Sequence, residues 1–158
     1  MQSQSLPYAR SFRELRVYQR QRELSRHIFA ISKTFPPEER YSLTDQIRRA
    51  ARSIGAQIAE AWAKRRYEKH FVSKLTDADA EQMETQHWVE TASDDGYLAT
   101  ETCTRLVAIC EEIGRMLSSM IENASSFCGD PFALREEPAG YFVSPPILQP
   151  DPGPDTEY

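Results

Sequence analysis

Between Leu43 and Ala61 the apolar residues Leu43, Ile47, Ala50, Ala51, Ile54, Ile58 and Ala61 recur at steps of three and four. That spacing lines one side of an α-helix and demands a covering partner, because a stripe of this width left in water forfeits its burial free energy. Ala50, Gly55, Ala56 and Ala59 in the same stretch are small enough for a neighbouring helix to come close. Arg48, Arg49 and Arg52 fall on a different arc. One segment is thus expected to pack on one side and present cations on another.

Three more segments carry the same periodicity. The first is expected from about Phe12 to Lys33, with Val17, Leu24, Ile28, Ile31 and Phe35 forming a heptad-like seam. Ser11 is its expected N-cap, and Pro36-Pro37 stops it, since each proline lacks an N–H and restricts the residue before it. The second helix is expected to start near Ser42, with Asp45 as a capping-box relative, and to end at Lys64-Arg65-Arg66. The third is expected from about Tyr67 to Ser93. Its seam of Phe71, Leu75, Ala78, Val89 and Ala92 has a polar middle at Gln82 and Thr85. Asp94-Asp95-Gly96 then turns the chain, with Gly96 free to take a left-handed conformation. The fourth is expected from about Thr100 to Ser125, with Leu106, Ile109, Ile113, Met116, Leu117 and Met120 as its stripe. Beyond it, seven of the ten prolines lie between residues 131 and 154, which excludes regular helix or central strand and predicts an irregular tail. Within that tail Tyr141, Phe142, Val143, Ile147 and Leu148 could dock as an extended strip.

Charge is divided along the chain. Residues 1–75 hold 16 Lys and Arg against 7 Asp and Glu, whereas residues 76–158 hold 3 against 17. Such a split suits helix pairs that attract each other, basic and acidic faces meeting between copies, or a face for a polyanion. The acidic run Asp77, Asp79, Glu81 and Glu84 is expected to be a solvated or Arg-paired face, with Arg48, Arg49 and Arg52 of the second helix at hand as partners. Basic residues also alternate with aromatics: Arg10 to Arg26 with Phe12 and Tyr18, and Lys64, Arg65, Arg66, Lys69 and His70 around Tyr67. Arginine suits phosphate, but no helix-turn-helix, zinc-finger or basic-zipper spacing is present.

Catalytic patterns are sparse. Glu84-Thr85-Gln86-His87 has the Glu-x-x-His spacing of di-iron bundles, yet that chemistry needs a second such pair and none occurs. There is no glycine-rich phosphate loop and no Cys-x-x-Cys pair. Cys103, Cys110 and Cys128 suggest free thiols in a reducing compartment. No run of 18 apolar residues exists, and the N-terminus lacks the apolar core of a secretory signal. No cofactor, metal or membrane association is expected, and the expected location is cytoplasmic.

Several of these residues also form recognisable motifs. Phe12-Arg13-Glu14-Leu15, the stop Thr34-Phe35-Pro36-Pro37-Glu38-Glu39 and the run Tyr41 to Ala50 stand in order. Ser53-Ile54, Ile58-Ala59-Glu60, Ala80-Glu81, Glu84-Thr85-Gln86 and Gly96-Tyr97-Leu98 follow. Together, over about residues 12–122, they resemble the four-helix bundle family first known from reading frames in intervening sequences of large-subunit ribosomal RNA. The chain departs from that pattern at Gln57, where the family usually has Asn, and at Ala61, where it usually has Gly. The resemblance implies an up-down-up-down bundle assembled as a ring, commonly a homopentamer, without established enzymatic activity. Proteins of related architecture serve diversity-generating retroelements as accessory subunits that bind reverse transcriptase and nucleic acid.

The expected fold is therefore all-α: an N-terminal extension at 1–11, an antiparallel four-helix bundle at 12–125 and a Pro-rich tail at 126–158. The expected function is non-enzymatic, an oligomer binding RNA or a nucleic-acid-processing protein. The alternative is a structural or protein-interaction ring with no nucleic-acid ligand. Candidate nucleic-acid ligands are Arg48, Arg49, Arg52, Lys64, Arg65 and Arg66, with Gln46, Ser53, Gln57 and Glu60 as a polar motif that orients them or closes the oligomer.

Overall fold

A computed structural model describes residues 9–128. Four long helices dominate: α1 (Arg16–Ser32), α2 (Asp45–Ala63), α3 (Glu68–Asp94) and α4 (Thr100–Glu122), followed by the short α5 (Ala124–Cys128). The tail strip from Tyr141 to Leu148, and the Gly129-Asp130-Pro131 stop, lie outside the described residues.

The seams bury as their periodicity dictates. Val17, Leu24 and Ile28 of α1 meet Leu43, Ile47, Ile54 and Ile58 from the second segment, together with Phe71 and Leu75 of α3 and Leu106, Ile113 and Leu117 of α4, in one cluster. Each fully buried Leu or Ile contributes about 1.5–3 kcal/mol, so this cluster, rather than the surface ion pairs, holds the bundle. Facing pairs run in opposite chain order. Gln21 of α1 reaches Ala51 of α2, whereas Ser32, later in α1, meets Arg48, earlier in α2. Arg20 also meets Glu112 of α4, and Phe127 of α5 stacks on Phe71 near the start of α3.

Three boundaries differ from expectation. Ser11 does cap, accepting from the Arg13 N–H, but it caps a single 3-10 turn, Phe12–Glu14. Leu15 is then extended (ψ 128°), and α1 starts at Arg16. Ser42 does not cap α2. It lies in a π-helical turn, Arg40–Thr44, and its hydroxyl donates to Glu39 Oε2 at 2.6 Å. Glu39 Oε1 accepts from Tyr97 Oη at 3.2 Å, tying the α1–α2 connection to the α3–α4 turn. The fourth helix breaks at Asn123, and α5 restarts it with Phe127 turned onto Phe71.

Of the expected stripes, Ile31 and Met116 are only half-buried. α2 ends before Lys64, and Gly96 has φ 79°, a conformation that favours glycine. The α3 seam buries Gln82 and Thr85 between apolar neighbours. Beyond the anticipated stripes, Gln21 and Ser32 of α1 and Cys110 and Gly114 of α4 are also buried. Burial pushes the Cys110 thiol up to about 12, so it behaves as a small apolar core residue.

Candidate nucleic-acid interface

The small residues of α2 admit a side chain from α1 rather than its backbone. Gln21 is buried, and its Nε2 donates to the Ala51 carbonyl at 2.8 Å and to Ser25 Oγ at 2.7 Å. Because the Ala51 oxygen can only accept, it fixes which end of the amide is nitrogen. Gln21 Oε1 is then left without a partner, against Gly55. The other helix pair repeats the device. Gln82 of α3 lies against Gly114 of α4. Here both ends of the amide are satisfied: Nε2 donates to Asp79 at 3.0 Å and Oε1 accepts from Gln86 at 2.7 Å.

Arg48 and Arg52, one turn apart on α2, converge on one ring. Their guanidinium carbons stand 4.8 and 5.8 Å from the centroid of Phe29 on α1, and Lys33 Nζ stands 4.6 Å from it. Phe29 is 41% exposed, and Arg48 Nε also donates to Ser32 Oγ at 2.7 Å. Three cations thus gather around one exposed aromatic ring. Arg49, about 100° further round the helix, is exposed on another side.

This corrects the expected pairing with the acidic third helix. Of that acidic run, Asp77 pairs with Lys74 of α3 itself at 3.6 Å, and the same ammonium bridges Glu60 of α2 at 2.9 Å. Hydrogen bonding to Lys74 holds the Glu60 carboxyl below its usual range, and the same bond raises the Lys74 ammonium. Asp79 is engaged by Gln82. Desolvation, then the charges of Glu84 and Asp77, raise the Glu81 carboxyl.

The polar motif is divided. Gln57 accepts from Lys74 Nζ at 3.4 Å and so joins Glu60, whereas Gln46 reaches back to the Tyr41 carbonyl at 3.5 Å and Ser53 is half-buried between them. Lys64 and Arg66 are exposed at the α2–α3 turn, and Arg65 lies over the Trp62 ring at 3.5 Å. At the helical rise, Lys64 is roughly 24 Å along α2 from Arg48. The candidates therefore form two basic clusters rather than one.

Phe29, Lys33, Lys74 and Gln21 were not among the sequence candidates. Phe29 lies off the α1 seam four residues before Lys33, a spacing that stacks the two on one face. Among the described residues no group of three or more His, Cys, Asp and Glu could hold a metal ion, and no helix is long and apolar enough to cross a membrane. Glu84 accepts from Trp88 Nε1 at 3.1 Å, and His87 packs edge-on beside the same indole.

The described residues are thus a helical bundle with amide-filled glycine gaps and an exposed cation–aromatic cluster. The chain belongs to the 23S rRNA-intervening sequence protein family, whose model matches residues 13–119. It is similar to a protein of unknown function from the S23 ribosomal protein family of Bacteroides thetaiotaomicron, known from a crystal structure at 1.70 Å resolution. The two share 29% identity with a TM-score of 0.62, covering 67% of this chain and 95% of that one. A comparison with curated proteins finds no match.

Proposed function

We propose that this protein is a non-enzymatic, oligomeric RNA-binding accessory protein of the cytoplasm, acting on RNA or on a ribonucleoprotein. The observation that carries the reading is the convergence of Lys33, Arg48 and Arg52 on exposed Phe29 while Lys74 meets the acids of α2 and α3. Cations engaged by an aromatic ring rather than by carboxylates remain available to phosphate. Family membership and the intervening-sequence context support a ribosomal RNA ligand, and the family resemblance supports assembly as a ring, most simply of five copies.

Arg48→Ala with Arg49→Ala tests it. Arg49 is exposed and Arg48 half-buried, so the doublet is expected to leave the helical circular dichroism intact. Filter binding across several salt concentrations should show weaker RNA affinity and a log–log salt slope reduced by about one for each phosphate no longer neutralised. Light scattering beside it should give a particle larger than a dimer for both proteins. A wild type without salt-dependent RNA affinity refutes the nucleic-acid reading. A doublet that dissociates the oligomer with unchanged RNA affinity assigns these arginines to the surface between copies instead.

A further inference from the structure

The cation cluster borders a groove of about 470 Å³ between α1 and α2, a volume within the range of small-ligand sites. Its walls combine three kinds of chemistry. Arg22, Arg26 and Arg52 supply guanidinium groups, and Phe29 and Tyr18 supply rings. The Tyr18 ring is braced edge-on by Phe12 at 4.9 Å. The floor at Gly55 and Ala56 is nearly free of side chains. At that floor lies Gln21, 3% exposed, with its amide fixed by Ala51 and Ser25 and its Oε1 lacking a donor. A buried acceptor without a partner is costly, and the matching amide of Gln82 across the bundle is satisfied at both ends.

We propose that this groove binds an unpaired nucleotide of an RNA strand. The base lies between the small-residue floor and the aromatic walls, one of its N–H groups donates to Gln21 Oε1, and its phosphates lie on Arg22, Arg26 and Arg52. The inference rests on the RNA-binding reading above and names its site. Each base carries an N–H donor on the edge used for pairing. In a duplex that donor is engaged and the ring faces are stacked, so neither Gln21 nor Phe29 can be reached. The groove therefore selects single strands and loops over paired RNA.

Fluorescence anisotropy tests this with an end-labelled, unstructured ten-nucleotide RNA and the same strand annealed to its complement, at matched salt. The single strand is expected to bind at least about tenfold tighter. Phe29→Ala should weaken it by about tenfold with the salt slope unchanged, since stacking carries no counterion term. Arg26→Ala should lower the slope by about one. Ala56→Glu, which sets a carboxylate on the floor, should abolish single-strand preference. All three positions are exposed, and helical circular dichroism verifies that the variants fold. Equal affinity for duplex and single strand overturns the site, as do groove variants that bind like wild type while the Arg48/Arg49 doublet weakens binding; in both cases RNA binding itself survives. No salt-dependent affinity for either RNA overturns site and function together. Ala56→Glu that alters particle mass but not RNA affinity overturns the site and assigns the groove to an interface between copies.

Discussion

A Cβ added at Gly55 would stand 2.4 Å from Gln21 Oε1. Gly55 is helical, with no positive φ, so its lack of a side chain serves the neighbouring amide and not the backbone. Gly55→Ala would push the amide away and break its bonds to Ala51 and Ser25, at about 1 kcal/mol each net. Against that, alanine is about 1 kcal/mol better than glycine inside a helix. In the native background the substitution should therefore destabilise by about 1 kcal/mol. In a Gln21→Ala background the clash is gone, and the same change should stabilise by about 1 kcal/mol. Urea denaturation of the four proteins checks the reversal of sign. An equal effect in both backgrounds would show that Gln21 does not occupy the gap.

At the scale of elements, the α2–α3 junction depends on Lys74, which touches Gln57, Glu60 and Asp77 together. Glu60 is depressed in the folded protein, so its contribution is present above the unfolded carboxyl value near 4.5 and is lost as pH falls through the lower folded value. Lys74 is raised by its bond to Glu60, so once Glu60 is ionised the bridge persists through neutrality and is lost only as pH rises from the unfolded ammonium value near 10.5 through the higher folded one. Lys74→Met should thus flatten the acid limb of the melting-temperature profile below the unfolded carboxyl value of about 4.5; an unchanged limb would mean that the bridge does not couple to folding. The existence of this junction was legible in the sequence, but its chemistry was not. Periodicity places Phe71, Leu75, Gln82, Thr85 and Val89 on one seam, because the register of a long helix propagates from any few of its residues. It cannot say which cation turns toward which acid. Lys74 was therefore missed, and Arg48 and Arg52, offered as partners for the acids of α3, turn toward α1. Ser42 misled for a related reason. Its local chemistry is that of a cap, whereas buried Leu43 and the Glu39–Tyr97 hydrogen bond place it in a π-helical turn. Arg48 and Arg52 could be read as neighbours from their spacing alone. That Phe29 brings them together with Lys33 depends on the α1–α2 packing, which no single segment encodes.

At the scale of the whole molecule, the buried cluster among the described residues runs from Leu15 to Ala124. Residues 130–158 hold seven prolines and few periodic apolar residues, so removing them should leave the helical circular dichroism and a cooperative melt in place; loss of either would show that the core draws on that segment. The family match, residues 13–119, covers nearly the same span. Within it, the two amide-in-glycine pairings set the stagger of each hairpin separately: Gln21 keys α1 to α2, and Gln82 keys α3 to α4. Sliding either pair by one turn would drive the amide into a side chain instead of a gap. Each hairpin thus carries its own alignment mark, independent of the greasy seam that any hydrophobic partner could satisfy. If copies of this chain ever trade parts, the interchangeable piece is a hairpin, since a lone helix would leave its key without its slot.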